Sequence, residues 1–108
     1  MATLDECRTA LEQLSAKFAA GGGKVDLDRT LGCTLTDLGT GFHGRLKDSR
    51  IQDIADGDDP NAKIRLILSS DDLVGLAAGT LDGKKAFTSG RLKIKAGVFD
   101  LLKLQKLM

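Results

Sequence analysis

The stretch VDLDRTLGCTLTDLGTGFHGRLK, residues 25–47, decides the fold. Its odd positions through Leu35, namely Val25, Leu27, Leu31, Cys33 and Leu35, are apolar apart from Arg29, while the even positions are mostly Asp and Thr. A period of two sustained over that length is a β-strand with one wet face and one buried face. TGFHGRLK (40–47) repeats the pattern with Phe42, Gly44 and Leu46 inward, Asp48 and Ser49 turn the chain, and RIQDI (50–54) runs back as a shorter strand. An acidic loop, ADGDDPN (55–61), separates this meander from AKIRLILSS (62–70), where Ile64, Leu66 and Leu68 alternate again. Strands joined by short links predict an antiparallel sheet.

Helices flank these strands. Leu4, Cys7, Leu11, Leu14 and Phe18 recur every three or four residues and mark one stripe of a helix. Thr3 with Glu6 forms a capping box, and Gly21–Gly23 stop the helix. Ser69, with Asp72 three residues on, starts a second helix through LVGLAAG that ends at Gly79. DGKKAFTSG (82–90) holds a further helical turn, and GRLKIK (90–95) gives a fifth strand with Leu92 and Ile94 facing one way and Arg91, Lys93 and Lys95 the other. Ala96 and Gly97 lead into a last helix from Val98 to about Leu107. One sheet face is polar, so the helices gather on the other.

At 108 residues the chain is expected to form one domain, residues 1–108. Its 42% apolar and 29% charged residues, with a net charge of +1, belong to an ordinary globular protein and exclude a nucleic-acid partner recognised by bulk charge. The absence of Trp and Tyr, with only four Phe, removes base-stacking platforms as well. Charge is unevenly placed: from Lys84 onward there are seven Lys or Arg against one acid, Asp100, while Asp48 to Asp59 holds five acids against Arg50. That asymmetry could orient the molecule on an anionic membrane surface. With no run near the roughly 20 apolar residues of a membrane span and early acids at the N-terminus, a cytoplasmic location is expected.

Residues that carry chemistry are sparse. His43, the single histidine, lies on the strand face opposite Phe42 with no local nucleophile or carboxylate partner. GGGK (21–24) has the residues of a phosphate loop in the wrong order, since it follows a helix and precedes a strand, and Val25 stands where Ser or Thr is needed. Cys7 and Cys33 are expected as reduced, buried thiols, and Cys33 on the inward face lacks a base. Asp71 and Asp72 cap a helix, and Asp58 and Asp59 belong to a loop. No catalytic residues, metal site or cofactor are expected, and the protein is not expected to be an enzyme.

From Ile64 to Leu107 the chain resembles the sterol carrier protein domain, the nonspecific lipid-transfer family. SSDDL, GTL, KKAF, SGRLKIKAG and LLKLQKL follow in the family's order and at matching intervals. The resemblance implies an α+β fold: a five-stranded, largely antiparallel sheet with α-helices packed on one face, enclosing an apolar tunnel or cavity. It implies a lipid or sterol ligand: sterols, fatty acids, fatty acyl-CoA or phospholipids. The chain ends QKLM, unlike the peroxisomal signal of some members, which fits a bacterial, stand-alone type. The terminal helix, behind the Ala96-Gly97 hinge, is expected to gate the cavity. Its Val98, Phe99, Leu101, Leu102 and Leu104 are then lipid-binding candidates, opposed by Leu73, Leu76 and Ala77, by Phe87, and by Leu92 and Ile94. An alternative is an interaction module that presents lipid to a partner enzyme or docks one of its helices.

Overall fold

A computed structural model describes residues 1–20 and 27–105. The expected glycine stop at 21–23, the phosphate-loop lookalike, Val25 and the helix end near Leu107 lie outside these residues. Among those described, β1 (Asp28–Leu35), β2 (Thr40–Lys47), β3 (Arg50–Asp56), β4 (Ile64–Leu68) and β5 (Lys93–Lys95) form one sheet in the order β3-β2-β1-β4-β5. The helices are α1 (Leu4–Ala20), α2 (Ser70–Ala78), α3 (Gly83–Thr88) and α4 (Val98–Gln105).

β1, β2 and β3 form the expected meander. β1 pairs antiparallel with β2 from Asp28↔Lys47 to Leu35↔Thr40. Asp48 and Ser49, with φ of 55° and 59°, make the two-residue turn into β3, the backbone hand that matches strand twist. The β2–β3 register shifts between His43 and Arg45, where Gly44 lets the strands close: a Cβ there would stand 2.6 Å from the Gln52 carbonyl oxygen.

One pairing departs from the sequence reading. β4 lies parallel to β1, with Leu31 opposite Ile64 and Leu35 opposite Leu68, so the sheet is mixed. The cause is the acidic loop, which crosses the outer face of the sheet instead of turning back beside β3. It passes over Gly32, where a Cβ would stand 2.6 Å from the Asp59 carbonyl oxygen, so only glycine admits the crossing. Asp58 then accepts from Thr34 Oγ1 at 2.6 Å and faces Arg65 at 3.8 Å, while Arg65 donates to Thr34 Oγ1 at 3.1 Å. β5 pairs with β4 over Lys93–Lys95 only, because Leu92 N–H donates to Ala86 of α3 instead of extending the strand.

The caps form as read. Thr3 and Glu6 exchange reciprocal hydrogen bonds of 3.1 Å, Ser69 Oγ accepts from Asp72 N–H at 3.2 Å, and Gly79 takes φ of 81° at the end of α2. Cys7, Ala10 and Leu11 of α1 are buried. Ser15 fixes α1 on β3, accepting from Ile51 N–H at 2.9 Å and donating to its carbonyl at 3.3 Å. Ser70, fully buried, joins α2 to the β1–β2 loop by donating its hydroxyl to Asp37 at 2.5 Å and its N–H at 2.8 Å. These anchors hold α1 and α2 over the inner sheet face at fixed positions.

Candidate functional site

Between that inner face and the helices lies an apolar cavity of about 190 Å³. Its floor is the sheet: Leu31 of β1, Leu46 of β2, Ile51 of β3, Ile64, Leu66 and Leu68 of β4, and Ile94 of β5. The strand alternation places these side chains inward, and the register sets them side by side; Leu31 faces Ile64 and Leu66 faces Ile94. The roof is Leu14 and Phe18 of α1 with Leu73 and Leu76 of α2. Leu81, Gly83 and Leu92 close one side, and Leu104 of α4 closes another. Lys17 is the one charged wall residue among those described, and its ammonium lies 3.8 Å from where a Cβ on Gly79 would stand, at the carbonyl end of α2.

The expected site residues divide. Leu73, Leu76, Leu92, Ile94 and Leu104 are at the cavity wall. Ala77, though buried, packs in the core beside it, and Phe87 and Leu101 are half-buried away from the wall. Val98, Phe99 and Leu102 point to solvent, with 73%, 79% and 55% of their surface exposed. Helix phase is the reason: α4 turns Asp100 and Leu104 inward, which rotates these three out. The sequence reading missed Leu14, Phe18 and all of the strand floor except Ile94, although it had placed Leu14 and Phe18 on one helix stripe and Leu31, Leu46, Ile64, Leu66 and Leu68 on alternating strand faces. It also missed the hold on α4. Arg29, the charged exception on the inner face of β1, meets Asp100 at 3.2 Å, so the exception marks where the terminal helix attaches.

Titratable groups near the core are quiet. Burial pushes the Cys33 thiol up to about 12, with the neighbouring Cys7 and Asp58 adding to it, and burial raises Cys7 as well. Both thiols are free and buried, and both stay protonated at neutral pH. The Ser70 hydroxyl and N–H hold the Asp37 carboxyl below its ordinary value. His43 is on the outer face, its Nδ1 donating to the Gly57 carbonyl at 2.7 Å. Among the described residues no cluster of His, Cys, Asp or Glu could hold a metal ion, and no helix is long and apolar enough to cross a membrane.

A sheet floored with leucine and isoleucine, roofed by two helices and closed by a third, is the arrangement the sequence resemblance implies. The family model of the SCP-2 sterol transfer family matches residues 4–108. The chain belongs to that family. A search of the curated proteins returns no significant match. Among solved structures, the sterol carrier protein 2 like 2 of Aedes aegypti superposes with a TM-score of 0.68 at 16% identity, covering 96% of this chain and 97% of that one. The Aedes aegypti sterol carrier protein 2 in complex with palmitate gives 0.59 at 18% identity, covering 98% and 94%. A stereoselective sec-alkyl sulfatase from a Pseudomonas species gives 0.56 at 19% identity over 90% of this chain. The chain spans only 13% of that sulfatase, and 15% of a mutant form that also matches. These likenesses describe a shared fold, the α+β sandwich of a five-stranded mixed sheet under four helices.

Proposed function

We propose that this member of the SCP-2 sterol transfer family binds one lipid in the cavity and carries it between membranes, without catalysing a reaction. The observation that carries the reading is the wall: leucine, isoleucine and phenylalanine from all five strands and the helices above them, with Lys17 the one charge among the described wall residues. Such a wall takes an aliphatic chain or sterol and offers an anionic headgroup one partner. Fatty acids are therefore placed ahead of sterols, acyl-CoA and phospholipids, in keeping with the palmitate of the Aedes aegypti relative. A chain of about 16 carbons gains roughly 12 kcal/mol on leaving water, and a bilayer returns a similar amount, so exchange with a membrane is nearly neutral and needs no energy source.

At about 190 Å³ the cavity is smaller than the roughly 300 Å³ at which ligand sites begin, so uptake requires expansion. We assign that expansion to α4, which follows Ala96 and Gly97, contributes Leu104 to the wall and is held by the Arg29–Asp100 pair. Nothing within 4 Å would meet a Cβ at Gly97, which leaves the hinge room to turn. A second reading, presentation of lipid to an enzyme, draws on the occurrence of this fold inside the sulfatase.

Displacement of a fluorescent fatty acid, with palmitate, cholesterol and methyl palmitate as competitors, tests the binding. Palmitate should compete best and Lys17→Met should erase its advantage over the methyl ester. Absence of any uptake ends the carrier reading. Hydrogen exchange of residues 98–105 with and without palmitate tests the gate, and equal protection in both states removes it.

A further inference from the structure

The terminal helix has a second apolar face that the cavity does not use. At about 100° per residue, Val98, Leu102 and Phe99 fall within one sector roughly 100° wide, while Asp100, Leu104 and Leu101 occupy the opposite sector. The inward sector is accounted for: Leu104 is buried at the cavity wall and Asp100, 15% exposed, is paired with Arg29. The outward sector carries the three most exposed large apolar side chains after Met1 among the described residues, with Phe99 more exposed than either of its neighbours on that face. An ordinary surface helix shows polar residues there.

The segment of chain that carries this face has charge of nearly one sign. Lys93 and Lys95 are exposed on β5, and Lys95 lies within about 10 Å of Val98 by chain length alone. Lys103 follows Leu102 on the helix. From Lys84 onward the sequence contains one acid, Asp100, and that acid is turned inward onto Arg29. The segment that carries the apolar side chains therefore shows exposed lysines, on the face of β5 opposite Ile94, and among its described residues no carboxylate other than the paired Asp100.

We propose that the outer face of α4 is a docking surface for an anionic bilayer: Phe99, Val98 and Leu102 enter the interfacial layer, and Lys93 and Lys95 meet the headgroups. A second copy of the chain is the poorer occupant. A stable protein interface takes roughly 800 Å² and 20–30 residues on each side, beyond what three side chains supply, and two such basic ends repel. An anionic membrane supplies both an apolar layer for the side chains and opposite charge for the lysines. The proposal deepens the carrier reading by naming where cargo is exchanged. The bilayer takes hold of the same short helix whose inner side, through Leu104, closes the cavity, so docking and opening act on one element.

The test is cosedimentation of the full chain with vesicles of phosphatidylcholine alone and of phosphatidylcholine mixed with phosphatidylserine. The wild type should bind the mixed vesicles more tightly and lose that preference in high salt. Phe99→Ser/Leu102→Ser should lower binding to the mixed vesicles by about tenfold or more, because each inserted side chain is worth at least that ratio. Lys93→Gln/Lys95→Gln should lower it by about fivefold per lysine, and leave phosphatidylcholine binding unchanged. All three proteins should keep the same thermal midpoint and the same uptake of a dissolved fluorescent fatty acid, since the substituted positions are exposed and off the cavity wall. Wild-type uptake of dissolved fatty acid without vesicle binding overturns the docking surface and leaves the carrier reading standing. Vesicle binding without uptake does the reverse. Equal vesicle binding by the wild type and Phe99→Ser/Leu102→Ser overturns the proposal. So does a dimer, seen by sedimentation, that this variant abolishes in the absence of vesicle binding.

Discussion

Leu76→Trp separates a ligand cavity from a closed core, because the two respond with opposite signs. Leu76 is half-buried on α2 and faces the 190 Å³ void. Left dry, a void of 190 Å³ costs about 5 kcal/mol at about 24 cal/mol per Å³, comparable to the lower end of the stability of a small domain. An indole that fills about a quarter of it should return about 1 kcal/mol and raise the melting midpoint of the ligand-free protein by roughly 4–8 °C. The same side chain occupies the space the ligand needs. Palmitate at about 100 times its dissociation constant should stabilise the wild type by about 2.7 kcal/mol, a shift of roughly 10–20 °C, and should shift the variant by less than half as much. Differential scanning fluorimetry with and without palmitate reads both quantities in one experiment. In a filled core the substitution would overpack and cost about 1–3 kcal/mol. A midpoint that falls while the palmitate shift keeps its wild-type size would therefore refute the assignment of this space to lipid.

Three further outcomes follow from the anchors around the cavity. Asp100→Asn releases α4 from Arg29; the pair is partly solvated and worth up to about 1 kcal/mol, so amide exchange across residues 98–105 should quicken by up to about fivefold, and unchanged exchange would mean that Leu104 alone holds the helix. Asp37 has a folded pKa below its unfolded value of about 3.9, so the stability it contributes is complete above that pH and is lost as pH falls through the lower, folded value. Urea unfolding of the wild type and Asp37→Asn should accordingly differ at pH 7 and converge in strong acid, whereas a pH-independent gap would remove the Ser70 contacts as the cause. Cys33, buried with its thiol near 12, and Cys7 beside it should both resist an aromatic disulfide reagent at pH 8 in the native state and react on unfolding; fast native labelling would mean that α1 lifts from the sheet.

What could be read from the sequence was what short-range chemistry settles. The Thr3–Glu6 box, the Ser69 cap, the Gly79 stop and the Asp48-Ser49 turn each close within a few residues, and all appear where the sequence places them. The parallel β1–β4 pairing was not legible, because it depends on which way a loop of acids crosses the sheet. Gly32 was its only local trace, an outer-face glycine in mid-strand whose reason, the Asp59 carbonyl, lies 27 positions further along the chain. Arg29 is the same kind of case: it broke the alternation visibly, but its partner Asp100 stands 71 residues away. The cavity was legible as an inward set and not as a void. Leu31, which lines it, and Leu35, which packs in the core, share one strand face and one chemistry, and only the helix positions above them decide which of the two meets empty space.

The terminal helix shows how the same ambiguity can carry information. A helix apolar around most of its circumference reads as one that is buried on all sides. Eight residues at the edge of a sheet cannot achieve that, since α4 has the cavity on one side and solvent on the other. Its inward sector needs only Leu104 to meet the cavity and Asp100 to reach Arg29. Val98, Phe99 and Leu102 then contribute nothing to the resting fold that a polar side chain would not contribute better, because each stays largely in water. The proposed docking surface accounts for these exposed apolar side chains by a second apolar environment that the helix meets part of the time. On the proposed carrier reading the cargo comes from a bilayer, so that environment is taken to be the bilayer itself, with the outer residues of α4 assigned to delivery of the lipid and the inner ones to its enclosure.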